Sequence, residues 1–255
     1  MELHFKTFGQ GTPLIILHGL FGTLDNWQTI GKQLAEHFQV FLIDQRNHGR
    51  SPHTDVIDFP TMAQDLYEFL DTHQIFKTHV LGHSMGGKTA MQFALEHPEA
   101  LDKLVVVDVA PKRYSGGHEQ ILGAILALDL NQVQNRSDAE QFFRQRLPHE
   151  TEGTIQFLMK NLSRNPEGGF EWKMNFPAIY NHYQDILAPV EVNAVFNGEA
   201  LFIRGDRSDY VQDADWANIV KLFPKAQLKT VENAGHWVHA DQPQVLLEMV
   251  QKFFT

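Results

Sequence analysis

The sequence predicts an α/β protein: a mostly parallel, doubly wound sheet with a helical cap inserted between core strands. Three observations carry this. Short apolar runs bounded by turn residues recur along the chain, as strands covered on both faces do. Amphipathic helical patterns alternate with them over short connections. The alternation breaks once, between Lys112 and about Leu187, where the chain reads mainly helical. This divides the chain into a core, residues 1–111 and 188–255, and a helical cap insertion, residues 112–187.

The elements follow in order. Leu14–Leu17 and Val40–Ile43 read as the first two buried strands. Thr61 begins a capping box with Gln64, ahead of the apolar stripe Ala63, Leu66, Phe69 and Leu70. Thr78–Leu81 is the next strand, Met85–Glu96 a helix ended near Pro98, and Leu104–Val107 a further strand. Within the insertion, Ile121–Leu130 is almost wholly apolar, and Ser137 with Glu140 forms a second capping box. Phe170, Trp172, Met174 and Phe176 alternate as an extended segment would. Ala200–Ile203 and Gln227–Val231 are the late strands. The last helix starts at Pro243, with Val245, Leu246, Met249, Val250 and Phe253 as its core face. An insertion at this place overlies the carboxyl edge of the sheet, where ligands of such folds bind.

Bulk properties exclude several function classes. A chain of 255 residues suits one large α/β domain. A formal net charge of −10 argues against nucleic acid and anionic membranes as partners. The sequence has no cysteine, which removes disulfides, thiolate metal sites and a thiol nucleophile. Glu2, His4 and Lys6 interrupt the N-terminus where a secretory signal needs apolar residues, and no run approaches the ~18 apolar residues of a membrane span. We expect a soluble, cytoplasmic protein.

Chemistry is concentrated in Gly82-His83-Ser84-Met85-Gly86-Gly87, directly after a strand and opening a helix. The run matches G-x-S-x-G, a sharp strand-to-helix turn that lifts a serine hydroxyl out of the sheet. Gly82 and Gly86 avoid collisions across the turn, and the Met85 N–H at the helix start can bind a developing oxyanion. Gly82–Thr89 also matches the phosphate-binding pattern G-x-x-x-x-G-K-T, with Leu104–Asp108 resembling the apolar run and Asp that hold magnesium. Three features favour a hydrolase. His18-Gly19-Leu20-Phe21-Gly22 follows an early strand, where a second oxyanion donor, the Leu20 N–H, belongs. Ala234-Gly235-His236-Trp237 follows the last strand, where the base of a triad belongs. At least two strands precede the glycine turn, whereas a phosphate loop more often follows the first. The reading is therefore an α/β-hydrolase fold with Ser84 as nucleophile and His236 as base.

With these motifs the chain resembles the YbfF-type esterases of bacteria, a branch of the α/β-hydrolases. The matching pieces are His18–Gly22, Asp44–Pro52 (DQRNHGRSP), Met62–Leu66, Gly82–Lys88, Val106–Pro111 and Ala234–Ala240, spread over nearly the whole chain and weakest in the cap. The resemblance implies acyl-ester hydrolysis by a serine mechanism without a metal or other cofactor. Three acids satisfy the chain order of a triad: Asp108, Asp206 and Asp209. The resemblance implies Asp108, from the VDxxP run, with Asp209 as the alternative.

The expected function is a serine esterase for short-to-medium acyl esters, acting on a small molecule. An acyl-CoA-type thioesterase or a carbon–carbon bond hydrolase on the same triad is the alternative. A non-catalytic ligand receptor and a P-loop-like nucleotide binder are more remote. Phe21 and Trp237 are candidate walls of the substrate site because both abut proposed catalytic residues. His18 is expected to order the oxyanion loop, His83 to line the pocket or support the turn, and His48 to be structural. Lys88 is expected to be a solvated helix lysine, and Asp44 and Arg46 to form a salt bridge. The sequence carries no signal for oligomeric state.

Overall fold

The computed structural model describes residues 1–255. A seven-stranded sheet runs through it, built from β1 (Phe5–Phe8), β2 (Thr12–Leu17), β3 (Phe38–Ile43), β4 (Thr78–His83), β5 (Leu101–Val107), β8 (Glu199–Gly205) and β9 (Ala226–Val231). The spatial order is β1-β3-β2-β4-β5-β8-β9, with β1 antiparallel to β3 and every other pairing parallel. A separate antiparallel pair, β6 (Leu162–Arg164) and β7 (Phe170–Trp172), lies between β5 and β8 in sequence. The six strands read from the sequence are all present. β1 escaped because Phe5-Lys6-Thr7-Phe8 is short, partly exposed and held by pairing to β3 rather than by its own pattern.

The helices are α1 (Gln28–Leu34), α2 (Phe59–Thr72), α3 (Met85–Glu96), α4 (Glu119–Ala127), α5 (Arg136–Arg146), α6 (Glu152–Met159), α7 (Phe176–Asn181), α8 (Tyr183–Leu187), α9 (Trp216–Leu222), α10 (Val238–Asp241) and α11 (Pro243–Phe254). Strand periodicity sorts them onto two faces. Leu14 and Ile16 point to the side where Ile30 and Leu34 of α1 and Leu246, Leu247 and Val250 of α11 pack. Ile15 and Leu17 point to the side of α2, α3 and α9. A third apolar cluster joins α4–α8 to Leu20, Phe21, Phe59, Met62 and Met85, so the segment between β5 and β8 shares its core with the loop after β2 and the first turns of α2 and α3.

Some local expectations shift. The cap of α2 is Asp58, whose carboxylate accepts from the Thr61 N–H, with Pro60 in the first turn, and Thr61 is already inside the helix. Asn135 and Asp138 form the capping box of α5 in place of Ser137 and Glu140. In each case a better acceptor lies two or three residues upstream. The extended segment stops at Trp172, because Asn175 caps α7 and Pro177 sits in that helix's first turn. On α11, Val245 is exposed and Leu247 and Phe254 are buried, a rotation of the expected face.

Asp44 and Arg46 do not pair. Asp44 accepts from the Leu24 and Arg50 N–H groups at 2.8 and 3.0 Å and contacts His4 Nδ1 at 2.9 Å. Arg46 reaches α2 and binds Asp65 in a two-pronged bridge, Nε–Oδ2 2.6 Å and Nη2–Oδ1 2.8 Å, with both side chains buried. Removing one partner of a buried pair leaves an uncompensated charge. Arg46→Met is therefore expected to destabilise the fold by about 3–5 kcal/mol. Urea unfolding checks this, and a loss below about 1 kcal/mol would show that Asp65 finds water or another cation.

Candidate active site

Parallel pairing puts the carboxyl ends of β2, β4, β5, β8 and β9 on one edge of the sheet. The loops leaving that edge carry His18–Gly22, Ser84, Asp108, Tyr210 and His236 in turn. Ser84 stands between β4 and α3 with φ 52° and ψ −121°, a conformation costly for any residue with a Cβ. Its N–H donates to the Val107 carbonyl at 3.0 Å, continuing the β4–β5 ladder. A Cβ on Gly82 would come within 2.2 Å of the Gly86 carbonyl, and one on Gly86 within 2.5 Å of the His18 carbonyl. The turn can close this tightly only with glycine at both places.

His236 bridges two groups. Its Nε2 lies 3.0 Å from the Ser84 hydroxyl and its Nδ1 2.8 Å from Asp108 Oδ2. Asp108 is fully buried at the end of β5, with φ 52°. Its N–H donates to Ile203 O at 2.7 Å, its Oδ1 accepts from the Gly205 N–H at 3.1 Å, and its Oδ2 also accepts from the Ser208 hydroxyl. Asp209 is exposed and makes no bond to His236. Asp206 is exposed too, and its carboxylate accepts from the Ala234 N–H at 3.1 Å, bracing the His236 loop. The structure thus brings Ser84, His236 and Asp108 into one hydrogen-bonded line and leaves Asp209 outside it.

The Leu20 and Met85 N–H groups flank Ser84 and have no acceptor within the protein. His18 shapes the Leu20 loop. Its Nε2 accepts from the Gln45 N–H at 3.0 Å, which leaves Nδ1–H to donate to the Gly19 carbonyl at 2.8 Å. Phe21 is buried with φ 58°, and its carbonyl accepts from Asn161 Nδ2 at 2.6 Å. Trp237 packs on Phe157 at a centroid distance of 5.0 Å. Both rings line a cavity of about 360 Å³ that opens onto Ser84 and His236. A second, apolar recess of about 30 Å³ adjoins Ser84 beside Met85, Val109 and Leu187.

Tyr210 and Ser208, which the sequence reading passed over, support the site, and so does His83, which it placed at the pocket or the turn. Tyr210 stacks face to face on His236, with centroids 3.7 Å apart and planes 20° apart. Its carbonyl accepts from the Tyr114 hydroxyl at 2.8 Å, and that hydroxyl in turn accepts from the Ala110 N–H. Burial, and then the Asp108 charge, push the Tyr210 phenol up to about 12. His83 lines the large cavity and donates Nε2–H to the His236 carbonyl at 2.8 Å. Tyr210 and Ser208 lie beside Asp206 and Asp209, two of the acids considered for the triad, so an aromatic next to them was the available signal.

Lys88 is not solvated. One helical turn after Ser84, its side chain is buried under α8, where Nζ donates to the Leu187 and Ala188 carbonyls at 3.2 and 2.5 Å. It also lies 4.7 Å from the Tyr114 ring centroid. Burial, and then Arg113 and Lys112 nearby, push the amine down to about 7. A lysine engaged this way cannot cradle a phosphate, which removes the main support for a nucleotide site.

Burial also holds several histidines neutral. His48 and His239 are pushed down to about 3 and His83 well below its ordinary value, in each case by burial first and neighbouring histidines second. Native histidines that stay neutral while the unfolded chain protonates near pH 6.5 make the unfolded state bind more protons as pH falls. Stability is present above pH 6.5 and is lost below it. For the fully buried His48 the loss by pH 5 is about 2 kcal/mol. Urea midpoints should fall between pH 7 and pH 5, and a flat profile would contradict neutral burial.

The α/β hydrolase fold family model matches residues 12–243. An esterase of Escherichia coli (strain K12), YbfF, is 37% identical over 96% of this chain and 93% of its own length. An sn-1-specific diacylglycerol lipase of Danio rerio is 37% identical over 98% of this chain and 80% of its own. A solved structure of a marine microorganism esterase superposes with a TM-score of 0.96 at 39% identity, covering 99% of both chains. No helix is long and apolar enough to cross a membrane.

Proposed function

The chain belongs to the α/β-hydrolase family and is a carboxylic ester hydrolase, and on that premise we propose that it cleaves short-to-medium acyl esters through an acyl-enzyme on Ser84. The observation that carries this reading is the unbroken line Ser84 Oγ–His236–Asp108 beside a cavity of about 360 Å³.

The steps follow from the geometry. Asp108 accepts Nδ1–H of His236, which leaves Nε2 with a lone pair toward the Ser84 hydroxyl. His236 takes the hydroxyl proton as Ser84 Oγ bonds to the ester carbonyl carbon. The carbonyl electrons move onto oxygen, where the unpartnered Leu20 and Met85 N–H groups receive them, a contribution of about 3–4 kcal/mol for one such donor. The C–O bond to the alcohol breaks as His236 returns the proton to the leaving oxygen. Water then attacks the acyl-enzyme by the same route and regenerates Ser84. Phe21 and Trp237 wall the cavity beside the reacting atoms, and residues 112–187 act as its cap.

The cavity lies at the lower end of the roughly 300–1,000 Å³ usual for small-molecule sites. Among p-nitrophenyl acetate, butyrate, octanoate and palmitate, assayed with a chelator present, we expect the highest kcat/KM at butyrate or octanoate. A clear preference for palmitate would overturn the chain-length reading, and dependence on added metal would overturn the mechanism.

A further inference from the structure

His118 is the N-cap residue of α4, just after Gly116 and Gly117, whose φ angles of 125° and 119° turn the chain toward the site. Its backbone N–H donates to the Tyr183 hydroxyl oxygen at 3.2 Å, and its Nδ1 lies 2.9 Å from the same oxygen. The phenol has one proton to give, and Nδ1 is its only acceptor within reach in the protein. Tyr183 is buried, so a proton left pointing elsewhere would lose its bond. The network is satisfied when Tyr183 donates to Nδ1 and the ring carries its proton on Nε2.

That Nε2–H has no protein partner and is not sealed off. The large cavity and the small apolar recess share four lining residues: Leu20, Ser84, His118 and Tyr210. His118 therefore lines, with Ser84, whichever space takes the acyl chain. Burial, and then the nearby His236, push its ring down to about 4, so it is a neutral donor at neutral pH. An apolar wall would serve a plain alkyl ester as well. A polar donor fixed by a dedicated tyrosine has use only for an acceptor on the substrate.

We propose that His118 is a specificity-determining residue: its Nε2–H donates to an acceptor oxygen, an ether, hydroxyl or carbonyl, within three bonds of the scissile ester group. The preferred substrates are thus oxygenated esters, not simple alkyl ones. The proposal rests on Ser84 being the nucleophile.

Two pairs of isosteric esters test it, each differing by one CH₂-to-oxygen exchange. The acyl-side pair is p-nitrophenyl methoxyacetate against p-nitrophenyl butyrate. The alcohol-side pair is 2-methoxyethyl butyrate against butyl butyrate. Each kcat/KM is normalised to the alkaline hydrolysis of the same ester, and the oxygen-to-methylene ratio is compared between wild-type protein and His118→Phe. One neutral hydrogen bond corresponds to about three- to tenfold. We expect the ratio to fall by that factor in one pair, which also identifies the side, and His118→Gln to restore part of it. An unchanged ratio in both pairs overturns the assignment. His118→Ala carries the same comparison should the phenylalanine variant not fold. Failure of the wild-type protein to hydrolyse either butyrate ester would instead sink the esterase reading on which the proposal stands.

Discussion

Ser84→Ala is expected to lower kcat for p-nitrophenyl butyrate by about 10⁶-fold, the scale seen when a triad nucleophile is removed. The change deletes the oxygen that lies 3.0 Å from His236 Nε2 and leaves the unpartnered Leu20 and Met85 N–H groups in place. A residual acceleration of about 10³- to 10⁴-fold over water is therefore expected from oxyanion binding and positioning alone. The fold should survive, because alanine meets the same penalty at φ 52° that serine already bears. Unfolding curves should overlay within about 1 kcal/mol. A folded variant losing less than a hundredfold would mean that another group performs the attack.

Asp108→Asn is expected to cost about 10⁴-fold in kcat, and Asp209→Asn less than about twofold. The reason lies in the tautomer of His236. Asp108 can only accept, so Nδ1 carries the proton and Nε2 is free to act on Ser84. An asparagine amide can donate to Nδ1, which moves the ring proton to Nε2 and blocks the base. Asp108 is also held by the Gly205 N–H and the Ser208 hydroxyl, both of which suit a charged acceptor. Asp209 is exposed and makes no such contacts. Steady-state kinetics on one ester decides the matter. The reverse ranking would move the orienting role to the loop after β8, and comparable losses would mean the two acids act together.

Much of this was legible in the sequence because the information is local. A turn so tight that a Cβ on Gly82 or Gly86 would come within 2.2–2.5 Å of neighbouring carbonyls leaves a spaced glycine pattern that can be read without a structure. Buried parallel strands announce themselves as short apolar runs, so β2, β3, β4, β5, β8 and β9 were all anticipated within a few residues. Other features are invisible in one dimension. The stacking of Tyr210 on His236 joins positions separated by 26 residues, and the Arg46–Asp65 bridge joins a loop to a helix 19 residues on. Asp44 was the nearer and equally plausible partner for Arg46. Only the fold decided that its carboxylate is already filled by backbone N–H groups.

Lys88 illustrates the same division. Its place one turn after Ser84 predicts the helix face but not what covers that face, and α8 arrives from about 100 residues away to bury it. His118 carried no motif at all, and its significance comes from the Tyr183 hydroxyl and from the two cavities that meet beside it. The sequence by itself determined the fold class, the glycine turn that carries Ser84 and the order of the loops along the sheet edge, because chain geometry and backbone sterics act between neighbours. The acid facing His236 was implied by the resemblance and seen only in the tertiary structure, which alone decided that Lys88 is buried and that His118 borders the cavity, because those depend on distances between segments that no local pattern encodes.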